Sequence, residues 1–144
     1  MANECYTYFR IAGDDFDPDV ISARLGLTPF KAHRVGDLRG DGTPFDFAGW
    51  CFGRCDEYDF DANVQIRKTI APLLTKTAEL RAIKEEFGAV FFLEIVPTIH
   101  GGEFTPQLGP DEDVIRFCYE VGATIDIDLY LGCEGEPGCP RRAE

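Results

Sequence analysis

Residues 124–131, TIDIDLYL, alternate apolar and polar side chains without a break. A strict period of two is the pattern of a strand with one dry and one wet face. It places Ile125, Ile127 and Leu129 inward and Asp126, Asp128 and Tyr130 outward. Residues 4–12 read the same way, with Phe9 and Ile11 on one face and Tyr8 and Arg10 on the other. A sheet that begins and ends with such strands keeps one face open to water. The expected class is therefore α+β: a mainly antiparallel sheet with helices on one face.

The intervening chain supplies the other elements. Asp17-Pro18-Asp19 is a helix start, with Asp17 at the N-cap, Pro18 at N1 and Gly26 as terminator. Residues 29–36 and 45–54 read as strands joined by the turn LRGDGTP. A bulge at Gly49 would put Phe45, Phe47, Trp50 and Phe52 on one face. Residues 61–87 are helical with a break near Pro72; Leu80, Ile83 and Phe87 mark the second helix, which Gly88 ends. AVFFLEIVPTI, residues 89–99, is the central-strand candidate. After the turn HGGE a short strand is expected at 103–108, an edge strand because of Pro106. Val114, Phe117, Cys118 and Val121 define a helix over 111–121. The resulting order is the ferredoxin-like βαββαβ extended by a β-α-β unit. A faint internal repeat, Asp19-Val20-Ile21 and Asp113-Val114-Ile115, opens the first and last helices.

A chain of 144 residues with 44% hydrophobic side chains can bury its own core without disulfide or metal. We read one domain over 1–131 and a loosely ordered Gly/Pro/charged tail over 132–144. The 26 acidic against 14 basic residues, net −12, argue against nucleic acid and against anionic membranes as partners. No leader pattern or membrane-span run stands out, so a cytoplasmic protein with reduced thiols is expected.

RIAGDDFDPDVISARLGLTP, Val35-Gly36-Asp37, Gly49-Trp50 and GATIDIDLY, in this order and spacing, resemble a bacterial family known only as domain of unknown function 4279. The resemblance spans residues 6–131. It implies no activity, so no catalytic residue follows from it.

Four aspartates fall within residues 14–19. Asp15, Asp17 and Asp19 have the one-three-five spacing of a calcium loop, but Val20 and Gly26 stand where that loop needs Gly and Glu. Capping accounts for Asp17 and Asp19; Asp14 and Asp15 read as turn residues or as a binding feature. Cys51 and Cys55, four apart on a strand, would lie roughly 13 Å from each other at about 3.3 Å per residue. Cys133 and Cys139 could pair or chelate, yet two thiols fall short of a structural zinc site. No metal and no cofactor is expected. His100 and Glu103 could meet across two glycines, but no nucleophile elbow, phosphate loop or dinucleotide fingerprint accompanies them.

FKAHRVGDLR, residues 30–39, gathers Lys31, His33, Arg34 and Arg39 within an acidic chain. The leading expectation is a non-enzymatic module that binds a protein partner, as inhibitors of the immunity type do. The alternatives are a small-ligand or anion-binding domain, and a hydrolase built on His100. Candidate binding residues are Tyr8, Arg10, Asp126, Asp128 and Tyr130 on the open face. Asp14, Asp15, Arg34 and Trp50 complete the set.

Overall fold

The computed structural model describes residues 2–132. Its elements are β1 (Glu4–Gly13), α1 (Pro18–Leu25), β2 (Lys31–His33), β3 (Ala48–Cys55), α2 (Ala62–Ile70), a 3-10 turn (Ala71–Leu73), α3 (Thr77–Phe87), β4 (Val90–Ile99), α4 (Glu112–Val121), β5 (Ala123–Ile127) and β6 (Tyr130–Leu131). The strand order is β2-β3-β1-β4-β5, with β6 pairing β4 farther along. β1 runs antiparallel to β3 and β4, and β2 antiparallel to β3. β5 is parallel to β4, with α4 supplying the crossover that parallel neighbours need, and β6 continues parallel to β4. The first four strands thus have the expected ferredoxin-like arrangement, and the class is α+β with a mostly antiparallel sheet.

Local chemistry sets the helix ends. Asp17 accepts a hydrogen bond from the Asp19 amide at 2.9 Å, and Gly26 closes α1 at φ 66°. Only a residue free of Cβ crowding takes that left-handed turn cheaply. Asp61 caps α2 in the same way, accepting from the Asn63 amide. Pro72 lies in the 3-10 turn that separates α2 from α3, where the break was expected.

The core lies between one sheet face and the helices. Phe9, Ile11, Trp50, Phe91, Leu93 and Ile95 point from the sheet into Ile21, Leu25, Ile66, Leu80, Ile83 and Val114. Burial of this kind is worth roughly 1.5–3 kcal/mol per large side chain. It is the main force holding helices to the sheet.

Several sequence expectations are corrected. No strand forms at 103–108; Gln107 makes only an isolated bridge to Asp61. Pro106 has no N–H to give a ladder, and the segment is tied to the start of α2 instead. Buried Asn63 donates to the Gly109 carbonyl at 2.9 Å and accepts from the Asp111 amide at 2.8 Å. The added unit is therefore α4 with β5 and β6. The bulge falls at Gly53, not Gly49: Phe9 opposes Phe52 while Thr7 opposes Cys55, so β3 carries one residue more than β1. Gly53 has φ 75°. Trp50 and Phe52 face the helices, whereas Phe45 and Phe47 precede β3 and meet edge-on on the other side. β2 is shorter than 29–36, because Arg34–Asp37 turns the chain away.

The alternation over 124–131 also fails at its far end. β5 stops at Ile127, and the Asp128 amide donates to the Ile95 carbonyl at 2.9 Å. Ile127 and Leu129, expected inward, are 44% and 53% exposed. They lie at the sheet border, beyond the cover of the helices. The tail with Cys133 and Cys139 lies outside the described residues.

Candidate functional site

Cross-strand pairing sorts the open face into rows. Lys31, Cys51, Arg10, Phe92 and Thr124 run side by side across five strands. The next row holds Tyr8, Glu94 and Asp126. Toward the other end stand His33, Gly49 and Ala12. On β1, β3 and β4 these residues alternate with core residues, so the hydrophobic alternation that built the core also built this surface.

The 34–47 connection folds over one side of that face and makes a groove of about 560 Å³. That is within the size range of small-molecule sites. One wall is Tyr6, Tyr8 and Phe30: the tyrosines stack at 6.0 Å, and Phe30 meets Tyr8 edge-on at 5.6 Å. The opposite wall is His33, Phe45 and Phe47. The imidazole lies flat on Phe45 at 3.6 Å and edge-on to Phe47 at 4.9 Å. Gly49 beneath it leaves room for the ring; a Cβ there would collide with the imidazole. Burial holds the His33 pKa below its usual range, so the ring is neutral at neutral pH.

Three cations line the same groove. Arg54 lies 4.0 Å from the Tyr6 ring centre and pairs with Asp56 at 2.7 Å. Arg10 lies 4.4 Å from the Phe92 ring centre and pairs with Glu94 at 3.1 Å. Lys31 is exposed and forms no ion pair among the described residues. Guanidinium over an aromatic face is a preferred, pre-ordered arrangement.

Glu94 is the most unusual carboxyl of this face. It is 4% exposed, in the middle of β4, an interior strand. Burial first, and a hydrogen bond with neighbouring Asp126 second, push its pKa up to about 7 against the opposing pull of Arg10. The Tyr8 hydroxyl is pushed up as well, by burial and then by Glu94, and remains a neutral donor. The Cys51 thiol is pushed up to about 11, mainly by burial, and is not a thiolate at neutral pH.

Of the sequence candidates, the groove gathers Tyr8 and Arg10; Asp126 lies in the adjoining row. Asp128 accepts from the Tyr130 hydroxyl at 3.0 Å, and both sit where β5 gives way to β6. Arg34 is spent elsewhere, donating to Asp17 and Asp19 at 2.7 Å each. That pairing also explains two of the clustered aspartates. Asp14 and Asp15 stand exposed between β1 and α1, away from the groove lining. Trp50 is fully buried and donates through Nε1 to the Ser22 hydroxyl at 3.0 Å, so it belongs to the core. Phe45 and Phe47 were missed because the loop that brings them to His33 has no periodicity, and Arg54 because it lies on β3 just past the bulge that was expected at Gly49. Glu94 could have been found: it is the single charge in AVFFLEIVPTI.

Two other places look site-like, and the hydrogen bonds found there tie the fold together. A concavity of about 430 Å³ beside α3 and α4 contains Arg81 and Lys84. These donate to the Glu120 and Gly122 carbonyls and so cap the end of α4. His100 is buried, and its carbonyl accepts from the Glu103 amide in a turn, while Asn3 binds its amide at 2.8 Å. No group of three metal-ligating side chains occurs among the described residues. No helix among them is long and apolar enough to cross a membrane.

A family model described as a domain of unknown function (DUF4279) matches residues 3–132. No curated protein matches the chain. No solved structure matches it. The chain belongs to the DUF4279 family.

Proposed function

We propose that this member of the family is a non-enzymatic binding module whose site is the groove on the open sheet face, and that its ligand is a small anion-bearing molecule. The observation that carries this reading is the gathering of Arg10, Lys31 and Arg54 between two aromatic walls, in a chain of net charge −12. Acidic chains repel anions at long range. Cations placed together in a concave site, one of them without a carboxylate partner among the described residues, reverse that locally. The groove offers no ready thiolate nucleophile, because burial keeps the Cys51 thiol protonated.

A thermal-shift screen tests the reading. Native-state binding raises the melting temperature by mass action. Anionic compounds should raise it where neutral isosteres do not, and Lys31→Glu should remove the shift. If no anion in a broad panel shifts the transition, or if Lys31→Glu shifts equally, the groove is not the site.

Docking of a protein partner is the second reading, and a different surface favours it. β5 ends the strand order, and Ile127, Leu129 and Leu131 near it are exposed apolar side chains. An unpaired strand edge accepts a strand from another chain. Asp126, Asp128 and Tyr130 would flank that contact. Under this reading Leu129→Lys abolishes capture of a native partner and Lys31→Glu does not.

A further inference from the structure

We infer that the ligand is a planar aromatic ring carrying an anionic group, the ring lying between the two aromatic walls and the anion meeting Lys31, Arg10 and the Tyr8 hydroxyl. This rests on the proposal that the groove is the binding site, and names the chemistry it selects.

The walls are the first argument. Tyr6, Tyr8 and Phe30 on one side and His33, Phe45 and Phe47 on the other line the groove, with Ala12 and Cys51 between them and Gly49 covered by the His33 ring. Small residues between the walls leave depth where large ones would fill it. The walls are also held in place before anything binds. His33 is fixed against Phe45 and Phe47, and Arg39 lies 4.5 Å from the Phe45 ring centre on the loop side. Tyr8 is fixed against Tyr6 and Phe30. Aromatic walls ordered in advance favour a flat ring, because offset and edge contacts between rings reward planarity.

Charge is the second argument. Arg10 and Arg54 each have one carboxylate partner, so their charge is partly answered. Lys31 has none among the described residues and sits in the same row as Arg10, with Cys51 between them. The Tyr8 phenol, in the row next to Arg10, is a neutral hydrogen-bond donor. Lys31 and Arg10, on the two strands that flank Cys51, and the Tyr8 phenol in the row beside Arg10 offer the charge and the donor that a carboxylate, sulfonate or phosphate attached to a ring requires. An anion without a ring leaves the walls wet, and a ring without an anion leaves Lys31 uncompensated. Two separate contributions are required at once, which is the source of selectivity.

The test titrates the full chain with three probes by calorimetry: 2-naphthoate, 2-naphthalenemethanol and inorganic phosphate. Naphthoate should bind saturably and at least about tenfold tighter than either other probe, a difference of ~1.4 kcal/mol. Lys31→Met, at an exposed site, should leave the melting transition in place and weaken naphthoate binding about fivefold or more. Tyr8→Phe should weaken it less, through loss of one donor. Phosphate binding as tightly as naphthoate, with the same Lys31 dependence, would keep the anion site and overturn the ring. Naphthalenemethanol binding equally well would overturn the anion. If none of the three saturates, this inference fails, and an acidic ligand found by the thermal-shift screen would then leave the groove reading standing alone. Naphthoate binding that ignores both substitutions places the ligand elsewhere and overturns both.

Discussion

A glutamate in the middle of an interior strand is tolerable only because its neighbours divide the cost. Glu94 sits under Arg10 on one side and beside Asp126 on the other. A buried carboxylate pays for lost hydration, and the folded form therefore holds its proton more tightly than the unfolded chain does. With a folded pKa of about 7 against an ordinary 4.5, the group favours the folded state fully below pH 4.5. That contribution is lost as the pH rises toward 7, and it amounts to about 3 kcal/mol. Glu94→Gln removes the proton from the balance. The stability of the native protein relative to Glu94→Gln should fall between pH 4.5 and 7.5 and then level off. Urea unfolding at pH 4.5, 6 and 7.5 measures it; parallel curves for the two proteins would show that Glu94 does not titrate in this way. Carboxylates held low by partners, such as Asp113 beside Arg67, act in the opposite direction at more acid pH and cancel in the comparison.

At the scale of elements, what is local was legible and what is distant was not. The ends of α1 were readable from Asp17, Pro18 and Gly26, since a cap needs only its own few residues. Asp17→Ala should cost ~1 kcal/mol in chemical denaturation, because one amide loses its acceptor. An unchanged midpoint would remove that account. The bulge was misplaced because Gly49 and Gly53 look alike in sequence. Their difference lies across the sheet. Gly53 faces α2, where its carbonyl accepts from the Thr69 hydroxyl at 2.6 Å. Gln65, one turn earlier, donates to the Cys5 and Cys55 carbonyls at 2.8 and 3.2 Å, so α2 satisfies groups at the irregular end of β1 and β3. A Cβ at Gly53 would lie 2.9 Å from the Thr69 carbonyl oxygen, at a φ that side chains avoid. Gly53→Ala should therefore cost about 2 kcal/mol or more, read as a lower denaturation midpoint. Gly49→Ala should disturb mainly His33 and the groove, so a larger loss of stability there than at Gly53 would reverse this assignment. The missing strand at 103–108 failed for a related reason: Gln107 spends its backbone groups on Phe60 and Ala62, and Asn63 holds Gly109 and Asp111 just beyond, which no period in the segment announces. Likewise Phe45 and Phe47 join His33 only once a loop has closed over β2 and β3.

Across the whole molecule, two electrostatic ranges compete at the groove. The net charge of −12 repels an anion from every direction, while Arg10, Lys31 and Arg54 attract it over a few ångströms. Screening removes long-range terms first. The Debye length shrinks from about 30 Å at 0.01 M salt to about 10 Å at 0.1 M and about 3 Å at 1 M. Between the first two values the molecular repulsion fades while contacts inside the groove are little affected. Toward the third the groove cations are screened as well, and the added anions compete for them. Affinity for an anionic aromatic probe such as 2-naphthoate should therefore rise from 0.01 to 0.1 M sodium chloride and fall again toward 1 M, a maximum that a simple basic site on a neutral protein does not give. Calorimetric titration across that series measures it. The Lys31→Met variant should keep the rising limb, which belongs to the whole chain, and flatten the falling one, which belongs to the groove. A decline from the lowest salt onward would mean that the site does not feel the acidic remainder of the molecule. In that case the opposition between acidic body and basic groove would lose its force as an argument for where anions bind.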